Sequence, residues 1–330
     1  MKKTKKKAII HKTRKSASHT SKNSKKQKEK NTKKLNGDFF IGVDIGGTYV
    51  KAGLVVLSKN NAKLVKESKR LVEAKLGKET SLSNIFLTVQ EVMPIDKGGK
   101  DGKKIKIKGI GIGFPAPIIN GVADEATNMP GWEKTNIKKE FEKKFKIKTF
   151  VDNDANCFTL AEANFGAAKG KQNVIGITLG TGVGSGIIIE GKLYGGSTGA
   201  AGEIGRALYK DRMLEQSVNI SALRFMSLMD PMDLQKKIKE GDDFAKYVLS
   251  EYGKELGKVM SIVVNFYNPE MVVIGGGLSN FFENFETTMN SELQKQVFRQ
   301  AFNKVKITKA KLNNSGVIGA ALLAKTQGNK

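Results

Sequence analysis

The chain has 330 residues, of which 39% are hydrophobic, enough for two domains of ordinary size with a full core. Its single cysteine, Cys157, excludes an intrachain disulfide, and the sequence carries no export signal and no apolar run of membrane-spanning length, so a cytoplasmic, non-membrane protein is expected. The net charge of +25 is unevenly spread: residues 1–37 hold fourteen lysines and Arg14 against Glu29, which puts +14 there and +11 on the rest.

That opening segment is rich in Lys, Ser, Thr and Asn and cannot bury apolar surface, which predicts a disordered basic tail. It reads as a non-specific arm for nucleic acid, ribosome, anionic membrane or polyphosphate, or equally as a solubilising tail without a partner. Both histidines, His11 and His19, lie in it. The body therefore excludes Ser-His-Asp and Cys-His catalysis and an ordinary Cys/His zinc site, and any general base must be a carboxylate, Lys or Tyr.

The body begins near Asp38. Phe39 to Asp44 is an apolar run that stops at a glycine pair, and Tyr49 to Leu57 is a second, β-branched run: strand, tight turn, strand. A less ordered stretch follows, then a helix around Ser81 to Val92. Gly98 to Lys108 leads into a strand, Ile105 to Ile112, which Gly113-Phe114-Pro115-Ala116-Pro117 terminates. Phe145 to Val151 is predicted as a strand and Asp154 to Asn164 as a helix. Asn173 to Leu179 and Gly186 to Glu190 flank Gly180-Thr181-Gly182-Val183-Gly184 and repeat the opening unit about 135 residues on, which suggests two related lobes. Leu214 to Val264 reads as mostly helical. Met271 to Ile274 is a strand running into Gly275-Gly276-Gly277, a last strand lies near Val305 to Ile307, and Ser315 to Ala324 is a closing helix.

Three glycine turns carry the chemistry. In Asp44-Ile45-Gly46-Gly47-Thr48 the glycines free backbone N–H groups for an anion, Thr48 adds a hydroxyl, and Asp44 can hold magnesium through water. The turn leads into a strand, so it is not a Walker loop. Leu179-Gly180-Thr181-Gly182-Val183-Gly184 has the same content. Ile274-Gly275-Gly276-Gly277 lets an adenine or ribose approach the backbone. Each alone also reads as a structural turn.

The order of these motifs, with Asn153-Asp154-Ala155-Asn156 and Gly202-Glu203-Ile204-Gly205 between them, resembles the ROK family of the actin-like ATPase and hexokinase superfamily, over roughly Phe39 to Lys325. The resemblance implies an α/β fold of two ribonuclease-H-like lobes with a nucleotide and sugar cleft between them. The expected division is a tail at 1–37, an N-terminal lobe at 38–152 closed by a helix at 313–327, and a C-terminal lobe at 153–312. It implies a sugar kinase using ATP and Mg2+, with nucleotide held by Asp44, Gly46, Gly47, Thr48, Lys51, Gly180, Thr181, Gly182, Gly275, Gly276 and Gly277. Family members are often dimers, so a homodimer is expected.

Asp154 sits where a strand ends and a helix begins, so it reads both as a helix cap held ionised by the helix N-terminus and as a base within reach of a sugar hydroxyl. The resemblance assigns it the base, and assigns sugar contacts to Asn128, Asn153, Glu203 and Glu215; Asp152 reads as structural. Carboxylates suit a polyol because each accepts two hydroxyl donors. Trp132, the single tryptophan, reads as packing. The family continues with a histidine and a cysteine cluster that binds zinc; here Arg206 stands at the histidine and no cysteine follows, so no zinc site is expected. Arg206 reads as a ligand for a hydroxyl, carboxylate or phosphate, or as a partner of Glu203. Glucose heads the substrates, followed by N-acetylmannosamine, N-acetylglucosamine and fructose, with ATP or polyphosphate as donor. The competing reading is a sugar-responsive regulator, whose DNA-binding domain the 37 polar residues ahead of the body do not resemble.

Overall fold

Two five-stranded sheets of identical construction carry the fold. A computed structural model describes residues 36–94, 105–123, 125–126 and 129–328. In chain order it runs β1 (Asp38–Ile45), β2 (Tyr49–Leu57), β3 (Ala62–Leu71), α1 (Lys78–Val92), β4 (Ile107–Phe114), β5 (Ile118–Ile119), β6 (Val122–Ala123), α2 (Ile137–Phe145), β7 (Thr149–Asn153) and α3 (Asp154–Phe165). Then come β8 (Val174–Leu179), β9 (Val183–Ile189), β10 (Lys192–Leu193), β11 (Leu208–Tyr209), β12 (Arg212–Met213), α4 (Glu215–Val218), α5 (Ile220–Ser227), α6 (Pro231–Lys239) and α7 (Asp243–Tyr267). The chain closes with β13 (Met271–Gly275), α8 (Phe282–Gln294), α9 (Arg299–Lys304), β14 (Lys306–Lys309) and α10 (Ser315–Gly328).

The first sheet has the order β3-β2-β1-β4-β7 and the second β10-β9-β8-β13-β14. In each, a meander of three strands is followed by two strands parallel to the first: β4 on β1 and β7 on β4, then β13 on β8 and β14 on β13. The two-lobed α/β expectation is met, and the repeated glycine turn reflects a repeated sheet. Parallel strands end together, so the carboxyl ends of β1, β4 and β7 form one edge and those of β8 and β13 another, where open α/β sheets bind ligands.

Packing follows from which faces are apolar. One core lies between the first sheet and α1 and α2, around Ile41, Ile112, Ile85 and Phe141. A second gathers α4 to α8 on the second sheet, around Tyr252, Leu256, Val272 and Phe285. A third, with Phe40, Cys157, Phe158, Val317 and Ala320, joins α3 and α10 to both sheets. Here small residues let backbones touch: a Cβ on Gly111 would strike the Ala320 carbonyl, and one on Gly319 the Cys157 carbonyl. The described chain from Phe39 onward behaves as one contact unit. Among the described residues no helix is long and apolar enough to cross a membrane.

The structure corrects several boundaries. The stretch after Leu57, expected to be less ordered, contains β3, an edge strand whose charged residues face solvent while it pairs antiparallel with β2. Phe145, expected to open a strand, ends α2. Asn136 caps that helix by accepting from Lys139 N at 2.9 Å, and Phe141 and Phe145, four residues apart, both pack against Phe86. The strand after it is shifted to Thr149–Asn153, and β9 starts at Val183 instead of Gly186. Residues 1–35 of the tail and Asn128 lie outside the described residues.

Candidate active site

Asp44 is the next-to-last residue of β1, in register with Gly113 of β4, which in turn is in register with Asp152 of β7, so two carboxylates flank one glycine at the sheet edge. Asn153 and Asp154 follow directly. Asn153, not Asp154, caps α3: its Oδ1 accepts from Ala155 N at 2.8 Å and Asn156 N at 3.3 Å. Asp154 is the first helical residue, and its Oδ1 accepts from Ala155 N at 2.9 Å. The expectation that the helix end keeps it ionised is outweighed: burial first, then the charges of Asp44 and Glu203, push its carboxyl up to about 7. Burial also raises Asp44, against the pull of Lys51, and raises Asp152, whose Oδ1 accepts from Asn156 Nδ2 and Asn153 N, both at 2.7 Å.

The first glycine turn is closed by Gly46 N donating to Tyr49 O at 2.9 Å, and it leaves Gly47 and Thr48 exposed. Lys51 stands on β2 near enough to lower the Asp44 carboxyl. Across the site, Gly180 N donates to Gly182 O at 3.0 Å and Thr181 is exposed. Gly275 lies beside Thr178 in the β13–β8 pairing, which brings the third glycine run next to the second. Its members differ: Gly275 packs on the Phe158 ring, Gly276 has φ +81° and its Cα faces the Leu179 backbone, and Gly277 alone borders open space.

Glu203 precedes the short 3-10 turn Ile204–Arg206, and burial raises its carboxyl, with Arg206 opposing and Glu215 adding to the rise. Glu215, the first residue of α4, accepts from Val183 N at 3.3 Å, so it also braces the second glycine turn. Arg206 N donates to Glu203 O at 3.2 Å, but its guanidinium turns away from the Glu203 carboxylate: Nη1 reaches Glu125 Oε2 at 3.2 Å, a surface pair between the first lobe and the second. Trp132 is buried, donates to Ser81 Oγ at 2.8 Å and packs on Phe114, as its packing reading anticipated.

Sequence reasoning did not find Gly316 or Glu125. Gly316, the second residue of α10, lies beside Asp44, where a Cβ would stand 2.6 Å from the carboxylate carbon; a glycine in the first helical turn was the available signal. Among the described residues no group of three or more His, Cys, Asp or Glu is placed to hold a metal directly. A cavity of about 1050 Å³ lined by Lys171, Pro269 and Phe298 lies where β8, β13 and β14 begin, at the end of the second sheet away from these residues.

The ROK family model matches residues 40–327. The chain is 28% identical to a glucokinase of Thermotoga maritima over 86% of this chain and 96% of that protein. It is 27% identical to a xylose repressor of Caldicellulosiruptor bescii over 84% of this chain and 75% of the repressor. The fold matches a ROK family glucokinase from Streptomyces griseus, solved with glucose and AMPPNP, with TM-score 0.75 and 24% identity over 87% of this chain and 99% of that one.

Proposed function

The chain belongs to the ROK family, and on that premise we propose that it is a kinase that transfers the γ-phosphoryl group of ATP to a hexose hydroxyl, with Asp154 as general base. The observation that carries this reading is the environment of Asp154. A carboxyl raised to about 7 is a competent base at neutral pH, and it stands where the glycine turns and the Glu203 segment converge. Oδ1 is engaged by the Ala155 amide, which fixes the rotamer and leaves Oδ2 for the hydroxyl proton. Glu203 and Glu215 accept further sugar hydroxyls, and Asn153 and Asn128 orient the ring.

The exposed turn residues Gly47, Thr48 and Thr181 meet the phosphates, Gly46 and Gly180 shape the turns that present them, and the open face at Gly277 admits the nucleoside. Magnesium fits this donor set through water and nucleotide oxygens: Asp44 is a desolvated carboxylate beside an open glycine turn, with no direct protein cage among the described residues. When bound, magnesium neutralises phosphate charge. The relation to the T. maritima enzyme favours glucose as the acceptor.

The relation to a xylose repressor supports a second reading, a sugar-responsive regulator. An assay of ADP release from ATP and Mg2+ against glucose, mannose, fructose, N-acetylglucosamine and N-acetylmannosamine separates the two. Sugar-dependent ADP release is expected, fastest with glucose. Sugar binding without turnover of any of them overturns the kinase reading.

A further inference from the structure

Eleven residues separate Glu203 from Glu215, and what holds them is unusual. The β11–β12 hairpin pairs Leu208 with Met213 and Tyr209 with Arg212, turns through Lys210 at φ +59°, and is closed by Leu214 N donating to Ala207 O at 2.8 Å. It has little apolar anchorage. Leu208 is 81% exposed and Met213 44%, and a cavity of about 820 Å³ lined by Lys210, Arg212, Asn219, Phe225 and Glu255 opens between it and α7. Two side chains on one face of α7, three residues apart, span the gap. Tyr252 is fully buried and its hydroxyl donates to Val218 O at 2.7 Å, fixing the end of α4. Glu255, with a side chain only 18% exposed, accepts from Lys210 Nζ at 2.6 Å and from Lys258 Nζ at 3.3 Å. Lys210 Nζ lies 5.0 Å from the centroid of the neighbouring Tyr209 ring, and burial and the nearby Glu255 charge push the Tyr209 phenol up to about 12.

We propose that Glu255 is a positioning residue for sugar recognition: through Lys210 it clips the 208–213 hairpin to α7 and so sets where Glu203 and Glu215 stand. This rests on the kinase reading. Tyr252 holds one end of the segment and Glu255 the middle, so α7 acts as a rigid ruler for the two carboxylates. Glu215 is also held through Val183 N, a contact outside the clip that limits how far loss of the clip displaces it and protects the second glycine turn.

The test compares full-length wild type, Glu255→Gln, Lys210→Met, the double variant and Lys210→Arg. The first two are expected to raise the hexose KM by roughly five- to tenfold, the scale of one partly buried ion pair, with kcat and the KM for ATP within about twofold. The double variant should be no worse than either single one, because both remove the same contact. Lys210→Arg should restore the KM. Hydrogen–deuterium exchange at residues 207–214 should quicken in Glu255→Gln. A hexose KM that stays unchanged in an active enzyme overturns the positioning role, and unaltered exchange overturns the clip itself. A wild type that turns over no hexose overturns the kinase reading and the sugar role with it, while exchange still judges the clip.

Discussion

Asp154 couples function to stability through one proton. Its carboxyl is raised to about 7 against an ordinary value of 3.8, so the folded state binds a proton that the unfolded state releases across that interval. A raised carboxyl stabilises the fold at low pH, and that contribution is lost as pH rises from the unfolded value through the folded one. The base, in contrast, works only when ionised. The phosphoryl-transfer rate is therefore expected to climb with pH through about 7 and level off above it, measured as kcat/KM for the hexose between pH 5.5 and 8.5. Asp154→Asn keeps the Oδ1 acceptor for Ala155 N and removes the base. It should lower kcat roughly 10²- to 10⁴-fold, the usual range for general-base loss. It should also melt at a higher temperature than wild type at pH 8, with the gap shrinking towards pH 5. An equal gap at both pH values would show that Asp154 is not held protonated by its surroundings.

At the scale of elements, the two lobes are joined through α3 and α10, and one buried carboxylate locks them. Glu162 of α3 is fully buried: Oε1 accepts from Leu312 N at 3.0 Å and Ser315 Oγ at 2.7 Å, and Oε2 from Lys311 N at 3.1 Å and Ala167 N at 2.8 Å. Four donors on one carboxylate leave no room for an amide. Glu162→Gln turns an NH2 towards backbone N–H groups and should destabilise the fold by about 1–3 kcal/mol, read by chemical denaturation. Glu162 shows why some of the architecture was legible and some was not. Strand ends announced themselves because glycine turns and acidic residues cluster there: Asp44 and the Gly180 turn were read from the glycine pattern, and Asp154 was assigned through the family resemblance. Residues held by distant partners were silent, because three of the four donors to Glu162 lie about 150 positions away and Glu125 meets Arg206 from the other lobe. Strand β3 was missed because an edge strand with charged outward positions has no apolar run, and α2 because its Ile137-Phe141-Phe145 stripe is too short to outweigh the β-like residues beyond it.

At the scale of the whole molecule, the charge divides into two regions with different physics. Residues 1–37 carry +14 with no apolar pattern, while the body carries +11 spread over a folded surface with many local ion pairs. Every residue assigned to phosphate, sugar or base lies at Asp44 or beyond, at strand ends whose geometry depends on the two sheets and on α3 and α10. Removing residues 1–37 is therefore expected to leave kcat/KM for the hexose within about twofold. The same deletion should abolish most binding of the full chain to single-stranded RNA, DNA or polyphosphate. Such binding, if it resides in the tail, must weaken steeply with salt, because each neutralised phosphate releases condensed counterions and adds roughly 0.7–0.9 to the logarithmic slope. The measurement is a pair of titrations, full chain and truncated chain, against a fluorescent oligonucleotide at 50 to 300 mM salt, run beside the kinase assay. A truncated protein that stays folded but loses phosphorylation makes the tail part of the catalytic machine. A full chain that prefers one DNA sequence strongly over random DNA at moderate salt would instead favour the regulator reading, since a charge of this kind, distributed along an unpatterned segment, has no means of reading bases.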